Sequence, residues 1–195
     1  MPYTLPRRSA LAGALCTGLT VPAWAAELAG VHVPDTYQVD GQSLVLNGYG
    51  LRTISFLRIK LYVAALYLPR KSFDPQAIMA SPGPKVVVMH FLRGGSREQV
   101  QSRYREGEMD NCGDGHCDRS LEAEFERLVA AAPAVQPGDS LAYYISDKGL
   151  RVSFNGGVPT VYPGSGLAKL MLESFIGPHP PTPELRANLL GLLKP

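Results

Sequence analysis

Residues 51–68, LRTISFLRIKLYVAALYL, carry the strongest fold signal in this 195-residue chain. β-Branched and aromatic residues fill the segment, and its second half is continuously apolar, as is typical of a strand buried on both faces. The sequence therefore predicts a long central β-strand here, which ends at Pro69.

Further strand signals lie on both sides of this segment. Residues 36–39 and 43–46 flank the pair Asp40-Gly41, which favours the tight turn of a β-hairpin. The stretch KVVVMHF at 85–91 predicts another buried strand. Near the end of the chain, strands are predicted at 140–146, at 150–155 and around 158–162.

Helix signals are found between and after these strands. Ser96 and Gln99 form a capping box, so a helix is expected to begin there. Further helices are predicted at 121–129 and 167–175 by their apolar spacing, and Thr182-Pro183 is a helix start. With about six strands and about four helices, partly segregated along the chain, the expected class is α+β, an antiparallel sheet covered by helices.

The amino terminus has the pattern of a cleavable export signal. Arg7 and Arg8 precede an uncharged run at 9–21, and Ala23-Trp24-Ala25 matches a cleavage site. We therefore expect a signal peptide at 1–25, a mature domain at 26–195 and a periplasmic location. The paired arginines suit the twin-arginine route and the general secretory route alike.

Charge and hydropathy exclude some partners. After removal of residues 1–25 the chain holds 17 basic and 17 acidic residues, so electrostatics give no case for nucleic acid. The mature chain has no segment long enough to span a membrane. We expect neither a cofactor nor a metal.

Cys112 and Cys117 are the only cysteines after the leader. In an oxidising compartment so close a pair is expected to form a disulfide. Metal binding through Cys112, His116, Cys117 and Asp114 is an alternative, although this spacing is not that of a standard zinc site.

Three stretches together resemble the bacterial chalcone isomerase-like proteins. They are LNGYGLRTISFLRIKLYVAALYLPR at 46–70, KVVVMHFLRGGSREQV at 85–100, and SFNGGVPTVYPGSGLAKLMLESFIGPHPPTPELRANLLG at 153–191. The resemblance implies an open-faced β-sandwich, in which helices cover a large antiparallel sheet and a ligand cleft lies between them.

The resemblance also implies site residues. The family's active site supplies an Arg, a Thr, a Tyr, an Asn and a Ser or Thr, and these positions are carried over here to Arg52, Tyr62, Ser96, Arg103 and Ser174. Three of the five differ in type, so ring closure to a flavanone is not expected. An Arg with a Tyr is instead the pattern of the fatty-acid-binding branch, where the two hold a carboxylate.

Arg52 and Tyr62 satisfy this implication only under one geometric condition. On a straight, unbroken strand, side chains ten residues apart lie about 33 Å apart, too far for one head group. The pair can form one site only if the chain turns between them, and 55–58 is the only suitable region.

The expected function is therefore non-catalytic binding of a small apolar, carboxylated, lipid-like molecule near Arg52. Two alternatives remain open at this stage: an isomerase or lyase acting on an enone, and an envelope protein that works by contacts with other proteins.

Overall fold

The computed structural model describes residues 24–54, 57–112 and 117–195. Almost the whole predicted leader lies outside these residues, as do Asp114 and His116 of the alternative metal site. The predicted cleavage point after Ala25 falls within the first strand, whose regular pairing begins at Ala26.

A seven-stranded antiparallel sheet forms the centre of the molecule, with its strands in sequence order from β3 to β9. The strands are β3 Thr36–Val39, β4 Gln42–Ile54, β5 Ile59–Leu68, β6 Lys85–Phe91, β7 Ser140–Ser146, β8 Gly149–Phe154 and β9 Thr160–Pro163. The class α+β is confirmed. The main sheet has seven strands where the sequence predicts a sheet of about six, and two further strands form a separate sheet.

A separate two-stranded sheet, β1 Trp24–Leu28 and β2 Val31–Pro34, precedes the main sheet. Ala29 and Gly30 join the strands with φ of 52° and 81°, the left-handed conformation of a two-residue hairpin turn. Val33 belongs to the same buried cluster as Val63 and Ala65, so this hairpin covers one face of the main sheet.

Five helices are described: α1 Pro75–Ala80, α2 Arg97–Cys112, α3 Arg119–Ala131, α4 Ser165–Ile176 and α5 Pro183–Leu189. The caps agree with the predictions from sequence. The Ser96 backbone N–H donates to Gln99 Oε1 at 2.9 Å, and the Thr182 hydroxyl accepts from Leu185 N at 3.2 Å. No helix within the described residues combines the length and the hydrophobicity required to cross a lipid bilayer.

The single strand predicted over 51–68 is wrong. β4 ends at Ile54 and β5 begins at Ile59, and the two pair antiparallel, with Arg58 at a φ of 50° in the turn. The error has a physical reason: no glycine, proline, asparagine or aspartate lies in 55–58 to mark a turn.

Helix α5 packs against the middle of strand β4. A Cβ on Gly48 would collide with the carbonyl oxygens of Asn188 and Leu189, so the glycine allows the helix to lie against the strand. Asn47 adds a polar link, because its side chain donates to Leu189 O at 2.9 Å and accepts from Ser72 N at 2.8 Å. α5 thus covers β4 around residues 47–50.

Candidate functional site

A cavity of about 500 Å³ lies between the sheet and the helices α2 and α4. Side chains from β4, β5, β6 and β7 form its floor, and α2 forms a long wall. Most of the lining is apolar, including Ile54, Leu61, Met89, Phe91, Leu170 and Phe175. Its volume falls in the range of small-molecule sites.

Arg52 and Tyr62 lie directly opposite each other on β4 and β5, and both line this cavity. Direct partners of an antiparallel pair have Cβ atoms about 5 Å apart on one face of the sheet. The turn that the two-residue site requires is therefore present, because β4 ends at Ile54, two residues beyond Arg52, and β5 begins at Ile59.

The Arg52 guanidinium retains hydrogen-bonding capacity. Its Nη1 donates to Thr53 O at 2.8 Å, a single bond to a neighbouring carbonyl. Among the described residues no carboxylate forms an ion pair with it. Arg52 is half-buried, four of its five N–H donors have no described hydrogen-bond partner, and no described carboxylate forms an ion pair with it, so the guanidinium is suited to bind the carboxylate of a ligand.

Tyr62 adds a hydroxyl that no described residue engages in a hydrogen bond. Its ring packs edge-on against Phe91, with the ring centroids 6.0 Å apart. Burial raises the pKa of Tyr62 to about 12, against the smaller opposing effect of the Arg52 charge. The phenol is therefore a neutral donor at physiological pH.

Ser174 and Arg103 line the same cavity with much of their bonding capacity in use. The Ser174 hydroxyl donates to Met171 O of its own helix at 2.9 Å. Arg103 pairs with Glu106 at 2.5 Å and is mostly exposed, so it lies at the rim.

Ser96 lies outside the lining of this cavity in the described structure. It is the exposed N-cap of α2, where its hydroxyl donates to Glu98 Oε2 at 2.7 Å and accepts from Gln99 N at 3.3 Å. The structure thus brings together four of the five carried-over residues and places Ser96 in a capping role.

Tyr104 and Asn111 are lining residues that reasoning from sequence missed. They are of the two types that the family's active site supplies, and they are seven residues apart, as Ser96 and Arg103 are. Ser96 and Arg103 supply neither a phenol nor a side-chain amide, whereas Tyr104 and Asn111, eight residues further along the chain, bring both groups to the cavity. Their separation of seven residues, two turns of a helix, puts both side chains on one face of α2, and this spacing could have identified them from the sequence.

These two side chains have unusual polar surroundings. The Tyr104 hydroxyl is hydrogen-bonded to that of Tyr143, and burial raises the pKa of both phenols. Asn111 donates to Gly107 O at 2.8 Å and to His179 O at 3.2 Å, while its Oδ1 is buried without a partner among the described residues.

The disulfide between Cys112 and Cys117 is present, as predicted, with the two Cα atoms 5.1 Å apart. It joins the end of α2, a cavity wall, to the residues just before α3. Both cysteines pack against the main core cluster. In the part of the chain that the structure describes, no cluster of three or more potential metal ligands occurs.

The comparisons with known proteins agree on the fold. Thirty-eight chains of solved structures match. One is the crystal structure of a fatty-acid binding protein from Arabidopsis thaliana, with a TM-score of 0.67, 16% identity, and coverage of 83% of this chain and 92% of that one. At this identity the likeness shows the fold alone. No curated protein matches in sequence. The family model described as chalcone isomerase-like matches residues 25–191, and the chain therefore belongs to the chalcone isomerase-like family.

Proposed function

We propose that this protein is a non-catalytic binding protein for a fatty-acid-like carboxylic acid, held in the cavity with its carboxylate between Arg52 and Tyr62. One observation carries the proposal. The two side chains are cross-strand partners beside an apolar cavity, and neither has a described anionic partner.

The head-group chemistry is favourable. Burying a carboxylate away from water is costly unless charged hydrogen-bond donors replace the lost hydration. Arg52 offers a planar fork that matches the two carboxylate oxygens, and the protonated Tyr62 adds a further donor. Ion pairing and hydrogen bonding at one point would thus fix the orientation of the ligand.

The apolar remainder of the cavity suits the hydrocarbon tail of such an acid. Burial of each methylene contributes about 0.8 kcal/mol, so a hydrocarbon chain supplies affinity and the head group supplies orientation. The Arabidopsis protein of the same fold is named a fatty-acid binding protein, which supports this class of ligand.

A second candidate function is isomerisation of an enone-bearing substrate. It is favoured by Tyr104 and Asn111, which line the cavity with Arg52 and supply the residue types of the family's active site. Ring closure needs donors that stabilise charge developing on a ketone oxygen. Turnover of chalcone by the wild-type protein, abolished in Arg52→Gln, would establish this alternative.

We also propose that the protein works in the periplasm after removal of residues 1–25. The Cys112–Cys117 disulfide supports an oxidising compartment. Amino-terminal sequencing of the protein recovered from the periplasmic fraction is expected to begin at Ala26. Recovery of the uncut chain from the cytoplasm would contradict the proposal.

Native mass spectrometry of the purified protein tests the binding function. We expect a co-purifying carboxylic acid in the wild type, and a loss of affinity of about tenfold to a hundredfold for that acid in Arg52→Gln. Tyr62→Phe, which removes one donor to a charged group, is expected to lose about tenfold.

Arg58→Gln is the matched control. It removes one positive charge from the same β4–β5 hairpin, but Arg58 is exposed, pairs with Glu184 at 3.4 Å and is not part of the cavity lining. Equal ligand retention in Arg52→Gln and Arg58→Gln would overturn the proposal.

A further inference from the structure

Tyr104 forms part of the walls of two separate cavities. The first is the 500 Å³ cavity of the proposed site, and the second is a smaller one of about 140 Å³. Among the described residues only Tyr104 and Leu141 line both. Leu141 belongs to β7 in the sheet floor, whereas Tyr104 reaches down from α2.

The contacts of Tyr104 place its ring between the two spaces. The ring packs edge-on against Phe125 of the large cavity, with the centroids 6.4 Å apart, and its hydroxyl bonds that of Tyr143. The same side chain also lines the small cavity, together with Tyr162 of β9.

The two cavities follow one another across the strands of the sheet. The large cavity extends from Arg52 on β4 to Leu141 on β7, which is three strand spacings or about 14 Å. The small cavity continues over β7, β8 and β9 for two more spacings, about 10 Å. A linear acid anchored at Arg52 would run across the strands toward Tyr104.

We propose that Tyr104 is the specificity-determining end wall of the site: its ring stops the tail of the bound acid and so sets the longest chain that is accepted. This inference rests on the proposed function. With the ring removed, the small cavity joins the large one, and longer tails fit.

The test is a binding series with straight-chain saturated carboxylic acids of increasing length, measured by calorimetry on the full mature domain. In the wild type the affinity is expected to rise about fourfold per added methylene up to a limiting length, and then to fall. In Tyr104→Ala we expect the limit to move to longer acids.

Three further variants make the result specific. Tyr104→Phe keeps the ring and loses only the hydroxyl, so the wild-type limit is expected. Tyr104→Leu shortens the side chain while keeping an apolar contact with Phe125, and it serves if Tyr104→Ala does not fold. Adding Ala131→Phe to Tyr104→Ala refills the small cavity, which Ala131 lines, and is expected to restore the shorter limit.

The outcomes separate the two proposals. An unchanged length limit in folded Tyr104→Ala and Tyr104→Leu, with acids still bound through Arg52, would overturn the end-wall assignment and leave the proposed function intact. No binding of any acid by the wild type would overturn the proposed function, and the end-wall assignment with it.

Discussion

Arg52 and Tyr62 are ten residues apart in the chain and direct cross-strand partners in the sheet. Because the chain turns between β4 and β5, the two residues become neighbours across the strands. Their guanidinium and phenol groups then lie on the same side of an apolar cavity. The binding function proposed for this protein depends on that register.

Tyr62 is expected to make stability depend on alkaline pH. Its folded pKa of about 12 exceeds the ordinary tyrosine value of 10.0, so between these values the folded state holds a proton that the unfolded state has lost. The free energy of unfolding is therefore unaffected by this group below pH about 10 and falls as the pH rises above it.

Urea unfolding at a series of pH values measures this effect. Tyr62→Phe is expected to show a shallower decline above pH about 10, although Tyr104 and Tyr143, whose pKa values are also raised by burial, retain their share. Identical slopes for wild type and variant would contradict the prediction.

Gly48→Ala is expected to destabilise the fold by about 1–3 kcal/mol, because its methyl group would meet backbone carbonyls of α5 and overpack the strand–helix contact. Gly107→Ala is the matched comparison. Gly107 lies within α2, and a methyl group there would meet no other described part of the chain within 4 Å, so alanine is expected to stabilise by about 0.5–1 kcal/mol. Chemical denaturation measures both, and a neutral Gly48→Ala would refute the close approach of α5.

Asn47→Ala is expected to lower the free energy of unfolding by about 1–3 kcal/mol. The substitution removes a buried side chain that is the hydrogen-bond partner of both Ser72 N and Leu189 O. Gln38→Ala breaks an exposed side-chain bond to Ser43 and serves as the control, with an expected change within about 0.5 kcal/mol. Equal free energies of unfolding for the two variants would count against a structural role for Asn47.

Replacing both Cys112 and Cys117 by serine is expected to lower the free energy of unfolding by about 2 kcal/mol, as loop-closure entropy gives for so short a loop. Because α2 is a cavity wall anchored at this bond, faster ligand dissociation is also expected. Thermal unfolding and a dissociation-rate measurement check the two effects. A stability loss with an unchanged dissociation rate would show that the disulfide does not hold the wall.

Local signals predicted much of the fold. The capping box at Ser96, the Thr182-Pro183 helix start and the Asp40-Gly41 turn all appear where the sequence places them. Each depends on a few neighbouring residues whose backbone preferences or side-chain bonds act within one turn of chain. The β4–β5 turn carries no such preference, and two strands were therefore predicted as one.

The candidate site was only partly predictable for the same reason. The resemblance named four residues that do line the cavity: Arg52, Tyr62, Arg103 and Ser174. It missed Tyr104 and Asn111, because no local sequence motif fixed the alignment of α2 with the corresponding helix of the family.

By itself, the sequence determined the α+β class, the helix caps, the disulfide pair and the identity of the groups available for binding. These follow from residue type and short-range spacing. Only the tertiary structure decided that Arg52 faces Tyr62 and that Tyr104 stands between two cavities. Both relationships arise from strand register and from packing between segments far apart in the chain, where the free energy depends on the whole sheet.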